Sequence, residues 1–470
     1  MDTSNTYNVI VIGGGPAGQK AAIQAAKVGE KVLVVERAEV GGECVQRGTI
    51  PSKTLHASAV QLASMRNRGN SFLSDKIGTD TEVNSLMNRL SEVLKGHQQF
   101  IGDQLERNNI ELSKGRARFV SERELEITHT DGSTRNVRAD LIFIATGSRP
   151  RKPPEIPIDH EHILDSDSIL SMIYLPKTLM VVGAGVIACE FATIFQALGV
   201  QVTLMDRRDT PMGFLDPEIC QRFVRQFEAA GGVFLPESHP AEIKVDPLGM
   251  VVAKLDSGDV VRADKAFIAL GRTASVASLN LEAAGVELTE RGFIAVDENC
   301  QSSTTGIYAM GDVIGPPALA TASMEQGRRA ARHALGLQTA NQSNLMPVGI
   351  YTLPEIACVG MTEAQAIDAG ENPIVGRSHF AEIARGQING EHEGMLKLVC
   401  DSTGRKLLGA HVIGGNATEL IHLAQLAMVG ELGVDVFIDN IFNFPTMAES
   451  YRVAALDIAG SRPVAVPLAG

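Results

Sequence analysis

The sequence predicts an α/β protein: two Rossmann-like dinucleotide-binding domains followed by a C-terminal α+β domain. Three observations carry that expectation. The chain opens on a strand, glycine turn, helix and strand. The same layout returns near residue 180. From about residue 346 the alternation gives way to several strands followed by two helical stretches.

The opening unit is "YNVIVIGGGPAGQKAAIQAAKVGEKVLVVER". Val9 to Ile12 form a continuous apolar run, as in a strand buried on both faces. Gly13, Gly15 and Gly18 give G-x-G-x-x-G. The first glycine permits the tight turn and the second a close approach to a pyrophosphate. The third lets helix and strand pack together. The helix presents its positive end to the phosphates. The next strand, Val32 to Val35, ends at Glu36, an acid suited to ribose hydroxyls.

The second copy is "KTLMVVGAGVIACEFATIFQALGVQVTLMDRRD". Gly183, Gly185 and Ala188 repeat the turn, and the strand runs into Asp206-Arg207-Arg208. An acid suits the free 2′-hydroxyl of NAD(H), and an adjacent arginine suits the 2′-phosphate of NADP(H). Carrying both predicts tolerance of either nucleotide. The return strands also repeat: "RADLIFIATGSR" from Arg138 and "RADKAFIALGRT" from Arg262 align, with Gly147 matching Gly271. Each follows a hairpin signal, Asp131-Gly132 and Ser257-Gly258. This pattern predicts an internal duplication, with two dinucleotides bound at once: a fixed flavin and an exchanging nicotinamide.

Farther on, "GIYAMGDVIG" reads as a short strand ending at Gly311-Asp312, with the helix "SMEQGRRAARHAL" behind it. Asp312 is a candidate for the sugar-like chain of a flavin dinucleotide. The helix N-terminus suits the ring edge that gains negative charge. In the C-terminal part, "GIYTLPEIACVG", "GMLKLVC" and "KLLGAHVIG" predict strands. "ATELIHLAQLAMVGELG" and "MAESYRVAALDIA" predict helices, and "SRPVAVPLAG" a loose tail.

Bulk properties narrow the function. The chain has 470 residues, 42 basic and 55 acidic, for a net charge of −13, which argues against nucleic acid or an anionic membrane as partner. No apolar run is long enough to span a bilayer, and the N-terminus shows no leader pattern. Cys44, Cys189, Cys220, Cys300, Cys358 and Cys400 are scattered without a CxxC pair. This suggests neither a secreted disulfide framework nor a zinc site, and the cytoplasm is the expected location.

These motifs, with "GGECVQRGTIPSK" at 41–53, Ala145-Thr146-Gly147 and a C-terminal Pro-Thr-x-x-Glu, resemble the flavoprotein disulfide reductases over essentially the whole chain. The loop C-x-x-x-x-T-I-P-S-K, "DSDSILSM", "GIYTLPEI" and "FNFPTMAESYRVAAL" are most similar to the branch that moves hydride between pyridine nucleotides. The resemblance implies an FAD domain (1–150), an NAD(P) domain (151–275), a central domain completing the FAD site (276–345) and a dimerisation domain (346–470). A homodimer is implied, with larger assemblies left open.

The resemblance also implies site residues. FAD is expected on Gly13, Gly15, Pro16, Ala17, Gly18, Glu36, Arg37, Gly42, Cys44, Lys53, Ala117, Ala145, Thr146, Gly147, Gly311, Asp312 and Ala320. NAD(H) and NADP(H) are expected on Gly183, Gly185, Val186, Ile187, Glu190, Asp206, Arg207, Arg208 and Gly271. Lys53, Glu190 and Cys44 are the candidate catalytic residues, with Lys53 paired to Glu190 so that a cation stays near the ring.

Two departures decide the expected chemistry. Disulfide-reducing relatives carry a second cysteine where this chain has Thr49, and a histidine where it has Phe444; Glu449 remains. Exchange with a disulfide needs a resolving thiol, and a hydroxyl cannot serve. Phenylalanine has no proton to move. The expected activity is therefore hydride transfer between NADPH and NAD+ by a ping-pong route through the flavin, with no active disulfide. A quinone or dye reductase, an NAD(P)H oxidase or a non-catalytic flavin sensor are the alternatives. Cys44 has two readings: a polarizable residue packed beside the ring, or a thiolate able to form a sulfenic acid.

Overall fold

In a computed structural model of the chain, residues 5–67, 79–172, 174–338 and 345–463 are described. Most of the stretch expected to be a tail, 464–470, lies outside them.

The first unit forms a seven-stranded mixed sheet. Thr6–Ile12 is central. It lies parallel to Val32–Glu36 on one side and to Thr134–Ile144 on the other. Val9, Ile10 and Val11 are fully buried because helices or further strands cover both faces of the sheet. The helix Pro16–Ala26 follows the glycine turn. A Cβ on Gly327 of the helix Ala320–Ala334 would lie 2.1 Å from the Ala17 carbonyl. These two helices can touch only because residue 327 has no side chain. Ile307–Ala309, far away in sequence, joins this first sheet beside Ile142–Ile144.

The second unit is a five-stranded parallel sheet around Thr178–Val182, with the helix Val186–Ala197 after its own glycine turn. The duplication holds, with one difference. In the first unit the return strand Thr134–Ile144 is continuous, pairing antiparallel with Glu124–Thr128 and parallel with Thr6–Ile12. In the second it is cut at Asp264 into Val260–Ala263 and Lys265–Ile268, which enter different sheets. The Asp264 carboxylate accepts from the Thr178 amide (2.8 Å) and hydroxyl (3.0 Å), pinning the corner. Ser148–Pro150 and Arg272–Ala274 pair antiparallel, stapling the ends of the two return strands together.

The C-terminal part is a five-stranded antiparallel sheet with the helices Ala417–Val429 and Glu449–Gly460. It includes Ile374–His379, a strand the sequence reading did not anticipate. Ile350, Ile356, Met395 and Ile413 pack into the core of the second unit. A buried ionic latch fastens the same contact: Lys397 Nζ lies 2.9 Å from both Asp216 carboxylate oxygens and 2.8 Å from Glu363 Oε2. No helix among the described residues is long and apolar enough to cross a membrane.

Candidate active site

One cavity of about 1940 Å³ runs between the three parts of the chain and is lined by both glycine turns. It is about twice the upper end of the 300–1,000 Å³ usual for one small ligand, a size that suits two dinucleotides.

At the first turn Gly13 has φ 107°, and a Cβ there would lie 2.3 Å from the Ala145 carbonyl. Glycine is therefore required. The Glu36 carboxylate accepts from the Gly14 amide (2.7 Å) and, through its other oxygen, from the Ala38 amide (2.9 Å). Its bonds thus brace the turn, and each oxygen keeps a lone pair for a ribose hydroxyl. Asp206 repeats the arrangement, accepting from Ala184 N–H (2.6 Å) and Arg208 N–H (2.9 Å). The Arg208 guanidinium also folds onto it, at 3.0 and 3.3 Å. Burial alone would raise the Asp206 carboxyl, but the Arg208 bonds outweigh it and the net shift is downward.

At the middle of the cavity, Lys53 Nζ makes two bonds to Glu190, 2.8 Å to Oε1 and 2.7 Å to Oε2. Lys53 lies in the first turn and a half of the helix Thr49–Asn67. Glu190 is almost fully buried and accepts a third bond, from the Tyr351 amide (2.8 Å). Tyr351 also lays its ring 4.8 Å from the Lys53 ammonium. A buried carboxylate needs such partners, and here they come from two segments far from it in sequence.

Cys44 lines the same space. Burial pushes its thiol pKa up, against the pull of a side-chain hydrogen bond with Thr49 and of the Lys53 charge. Thr49, which stands in the sequence where a second sulfur would be needed, lines the same space as Cys44. Phe444 is 75% exposed on this single chain. Glu449 Oε2 accepts from the Thr446 amide at 3.4 Å.

Near Gly311, the Asp312 carboxylate accepts from Ser148 Oγ (2.7 Å), and Ser148 Oγ in turn accepts from Arg272 Nε (2.7 Å). One Asp312 oxygen stays available to the cavity. Ala320, the first residue of its helix, also lines the cavity, as do Pro16, Ala17, Arg37, Gly42, Ala117, Thr146 and Gly147. Gly183, Gly185, Val186, Ile187 and Gly271 line the opposite end.

Two of the expected residues lie off this cavity. Gly18 does not line the cavity. It is tucked behind the turn, where a Cβ would sit 2.0 Å from the Gly13 carbonyl, so it serves packing. Arg207 also lies off the main cavity, on a separate pocket of about 150 Å³. Cys189 has a partner that the sequence did not show: its thiol donates to the Ala184 carbonyl, 3.6 Å away.

The sequence reading also missed Glu43. It lines the cavity from the first turn of a short helix, and its Oε2 is buried without a hydrogen-bond partner. Burial, then the Asp167 charge, raise its carboxyl. Its only sequence signal is an acid directly after the Gly41-Gly42 pair. Thr146 Oγ1 and Ser275 Oγ line the cavity unpartnered as well. Buried polar atoms without partners in a cleft are what a polar ligand would satisfy. With the glycine turns, they fit FAD and a pyridine nucleotide.

Fold and site together define a dinucleotide-dependent oxidoreductase. The chain belongs to the pyridine nucleotide-disulphide oxidoreductase family, whose model matches residues 7–327, with the family's dimerisation domain at 346–455. It is an enzyme of the flavoprotein type, using FAD and pyridine nucleotides. A protein from Mycobacterium tuberculosis named soluble pyridine nucleotide transhydrogenase is 40% identical over 454 residues, covering 96% of this chain and 97% of its own. A Pseudomonas aeruginosa protein of the same name is 39% identical over 463 residues, covering 96% and 98%. Among solved structures, LpdA of M. tuberculosis matches with a TM-score of 0.88 at 28% identity, covering 96% and 99%. The HOCl-induced flavoprotein disulfide reductase RclA of Escherichia coli gives 0.86 at 27%, with the same coverage.

Proposed function

We propose that this protein is an FAD-dependent NAD(P)+ transhydrogenase, catalysing NAD+ + NADPH = NADH + NADP+. The observation that carries this is that Thr49, not a second thiol, lines beside Cys44 a cavity large enough for two dinucleotides. A hydroxyl cannot resolve a mixed disulfide, so electrons have no sulfur outlet. The transhydrogenase names of relatives near 40% identity support the same reading.

The Gly13 turn and Asp312 would hold FAD, which when bound would supply the two-electron chemistry linking two nicotinamides that enter in turn, a ping-pong order. The chain's own residues do the positioning. The Gly13–Gly18 turn holds a pyrophosphate, with Glu36 bracing it. Lys53, held by Glu190 and Tyr351, keeps positive charge at the ring. Val186 and Ile187 border the port where each nicotinamide enters and leaves. Cys44, with its thiol pKa raised by burial, fills space beside the ring rather than acting as a thiolate.

The segments 1–150, 151–275, 276–345 and 346–470 act as FAD, NAD(P), central and dimerisation domains. The working form is a homodimer in the cytoplasm. The exposed Phe444, Ile441 and Leu426 suit a face covered by a second copy.

The test is to reduce the purified protein anaerobically with NADPH, remove excess nucleotide and add a thio-analogue of NAD+. Prompt flavin reoxidation with a stoichiometric rise in reduced analogue is expected. Reoxidation by quinone or oxygen alone would identify a reductase or oxidase instead. No bleaching by NADPH would indicate a sensor.

A further inference from the structure

Two helices pack together at the Lys53–Glu190 pair, through Leu55 and Ala59 on one and Ile194 and Leu198 on the other. Each offers two side chains to one short segment. Lys53 and His56 are three residues apart, on one face of Thr49–Asn67. Glu190 and Thr193 are likewise three apart on Val186–Ala197. The segment they share is Tyr351–Leu353, which follows the strand Val348–Ile350 of the C-terminal part.

Three consecutive residues of that segment are each held by one of these side chains. The Tyr351 amide donates to Glu190 Oε1 (2.8 Å), and the Leu353 amide donates to Thr193 Oγ1 (3.1 Å). Between them, the Thr352 carbonyl lies 3.1 Å from His56 Nε2. A carbonyl only accepts, so Nε2 carries the proton. Thr352 is fully buried, and His56 is nearly so. The His56 ring also meets the Tyr351 ring edge-on, with centroids 5.6 Å apart.

His56 itself does not line the cavity. Burial holds its imidazole below the ordinary value, and the Lys53 charge acts the same way. The Thr352 bond and the Glu355 and Glu190 charges oppose them. The ring is therefore neutral at neutral pH and adds no charge beside Lys53. Any effect it has on the site passes through Tyr351.

We propose that His56 is a positioning residue: by fixing the Tyr351–Thr352 peptide, it keeps the Tyr351 amide on Glu190 and the Tyr351 ring against the Lys53 ammonium, and so helps set the reduction potential of the bound flavin. Without that bond the peptide plane is free to turn. Glu190 then loses a donor and draws more heavily on Lys53, whose charge is less available to a ring that becomes anionic on reduction. His56 can act this way only if Lys53 stands at the flavin ring, as the transhydrogenase reading holds.

The experiment is a reductive titration of the full-length holoprotein with dithionite against a reference dye, at neutral pH and without nucleotide. His56→Leu fills the space without a donor. It should make the flavin about tenfold harder to reduce at equilibrium, a fall of about 30 mV for a two-electron couple. His56→Gln, whose amide replaces the donor, should keep most of the original potential. If the leucine variant loses its flavin, His56→Phe keeps an aromatic edge on Tyr351 without the donor and should show the same fall. In a Lys53→Met background, His56→Leu should add little further change. An unchanged potential in the donor-free variant that holds flavin would overturn the role of His56. So would a fall of the same size in the Lys53→Met background, which would show that His56 acts by another route. If Lys53→Met alone leaves the potential unchanged, Lys53 is not at the ring and the role of His56 falls with it. No nicotinamide enters this titration, so a failed thio-NAD+ assay would leave its result standing.

Discussion

The two glycine turns are near copies, yet one is roofed and the other open. Gly13 and Gly183 share left-handed φ values of 107° and 102°, and a Cβ on either would strike a carbonyl of the neighbouring return strand. Gly15 and Gly185 share φ of −76°. What differs lies above them. Gly42, at φ 60°, closes over the first turn so tightly that a Cβ on it would come within 2.8 Å of the Gly15 Cα. Over Gly185 a Cβ would meet nothing within 4 Å. A covered turn suits a resident cofactor and an open one suits a nucleotide that must leave. The same motif thus serves two lifetimes: a loop bonds back to each turn, from Gly41 to Gly14 and from Met212 to Ala184, but only at Gly42 does it press on the second glycine.

The largest effect should come from the bond that joins the two units. Lys53→Met leaves Glu190 buried without its cation, costing about 3 kcal/mol. A thermal melt, together with the rate of flavin bleaching by NADPH, would measure it. An unchanged melting temperature would show that the Tyr351 amide suffices.

Next, Gly42→Ala should shed flavin and destabilise the fold by about 1–3 kcal/mol through overpacking. Gly185→Ala should fold normally, keep its flavin and raise KM for both nucleotides, because the added methyl blocks the pyrophosphate. Flavin content by absorbance separates the two. Equal flavin loss in both variants would erase the roofed-versus-open distinction.

Acid should discriminate more gently. Burial of Asp216 favours its protonated form, but the Lys397 bond and charge outweigh this and depress its carboxyl below the ordinary 3.8. A depressed carboxyl contributes stability above its unfolded value and loses it as pH falls through the folded one. Burial would likewise lower Lys397, but its bonds to Glu363 and Asp216 raise it, so the latch is intact at neutral pH and stays closed into the alkaline range. Below about pH 4, amide exchange should therefore rise in the helix Pro217–Ala229 before it rises in the strand Thr6–Ile12.

The smallest change in stability should accompany Thr49→Cys. With Cys44 already beside residue 49, the variant should gain a reducible disulfide, seen as two extra titratable thiols after NADPH reduction. It should still turn over disulfide substrates poorly, because Phe444 supplies no base.

The sequence disclosed much of this. The turns, their strands and the Lys53–Glu190 pairing were legible because they depend on short spacings or on a motif. The strand Ile374–His379 was not, since "IVGRSH" mixes apolar and polar residues without clean alternation. Glu43 was hidden because its burial depends on distant neighbours, whereas the packing role of Gly18 was legible from its place as the third glycine of the turn.

What the sequence determined by itself was local: where backbone must be glycine, where a thiol and a histidine are replaced, which strands end in an acid. These follow from one residue's sterics or chemistry. What only the tertiary structure decided was non-local: that Gly42 roofs one turn, that Tyr351 completes the Glu190 shell from 161 residues away, and that Arg208 is spent on Asp206 while Arg207 lies off the main cavity. Such choices depend on which surfaces meet when separate units pack, and no spacing within a single segment encodes them.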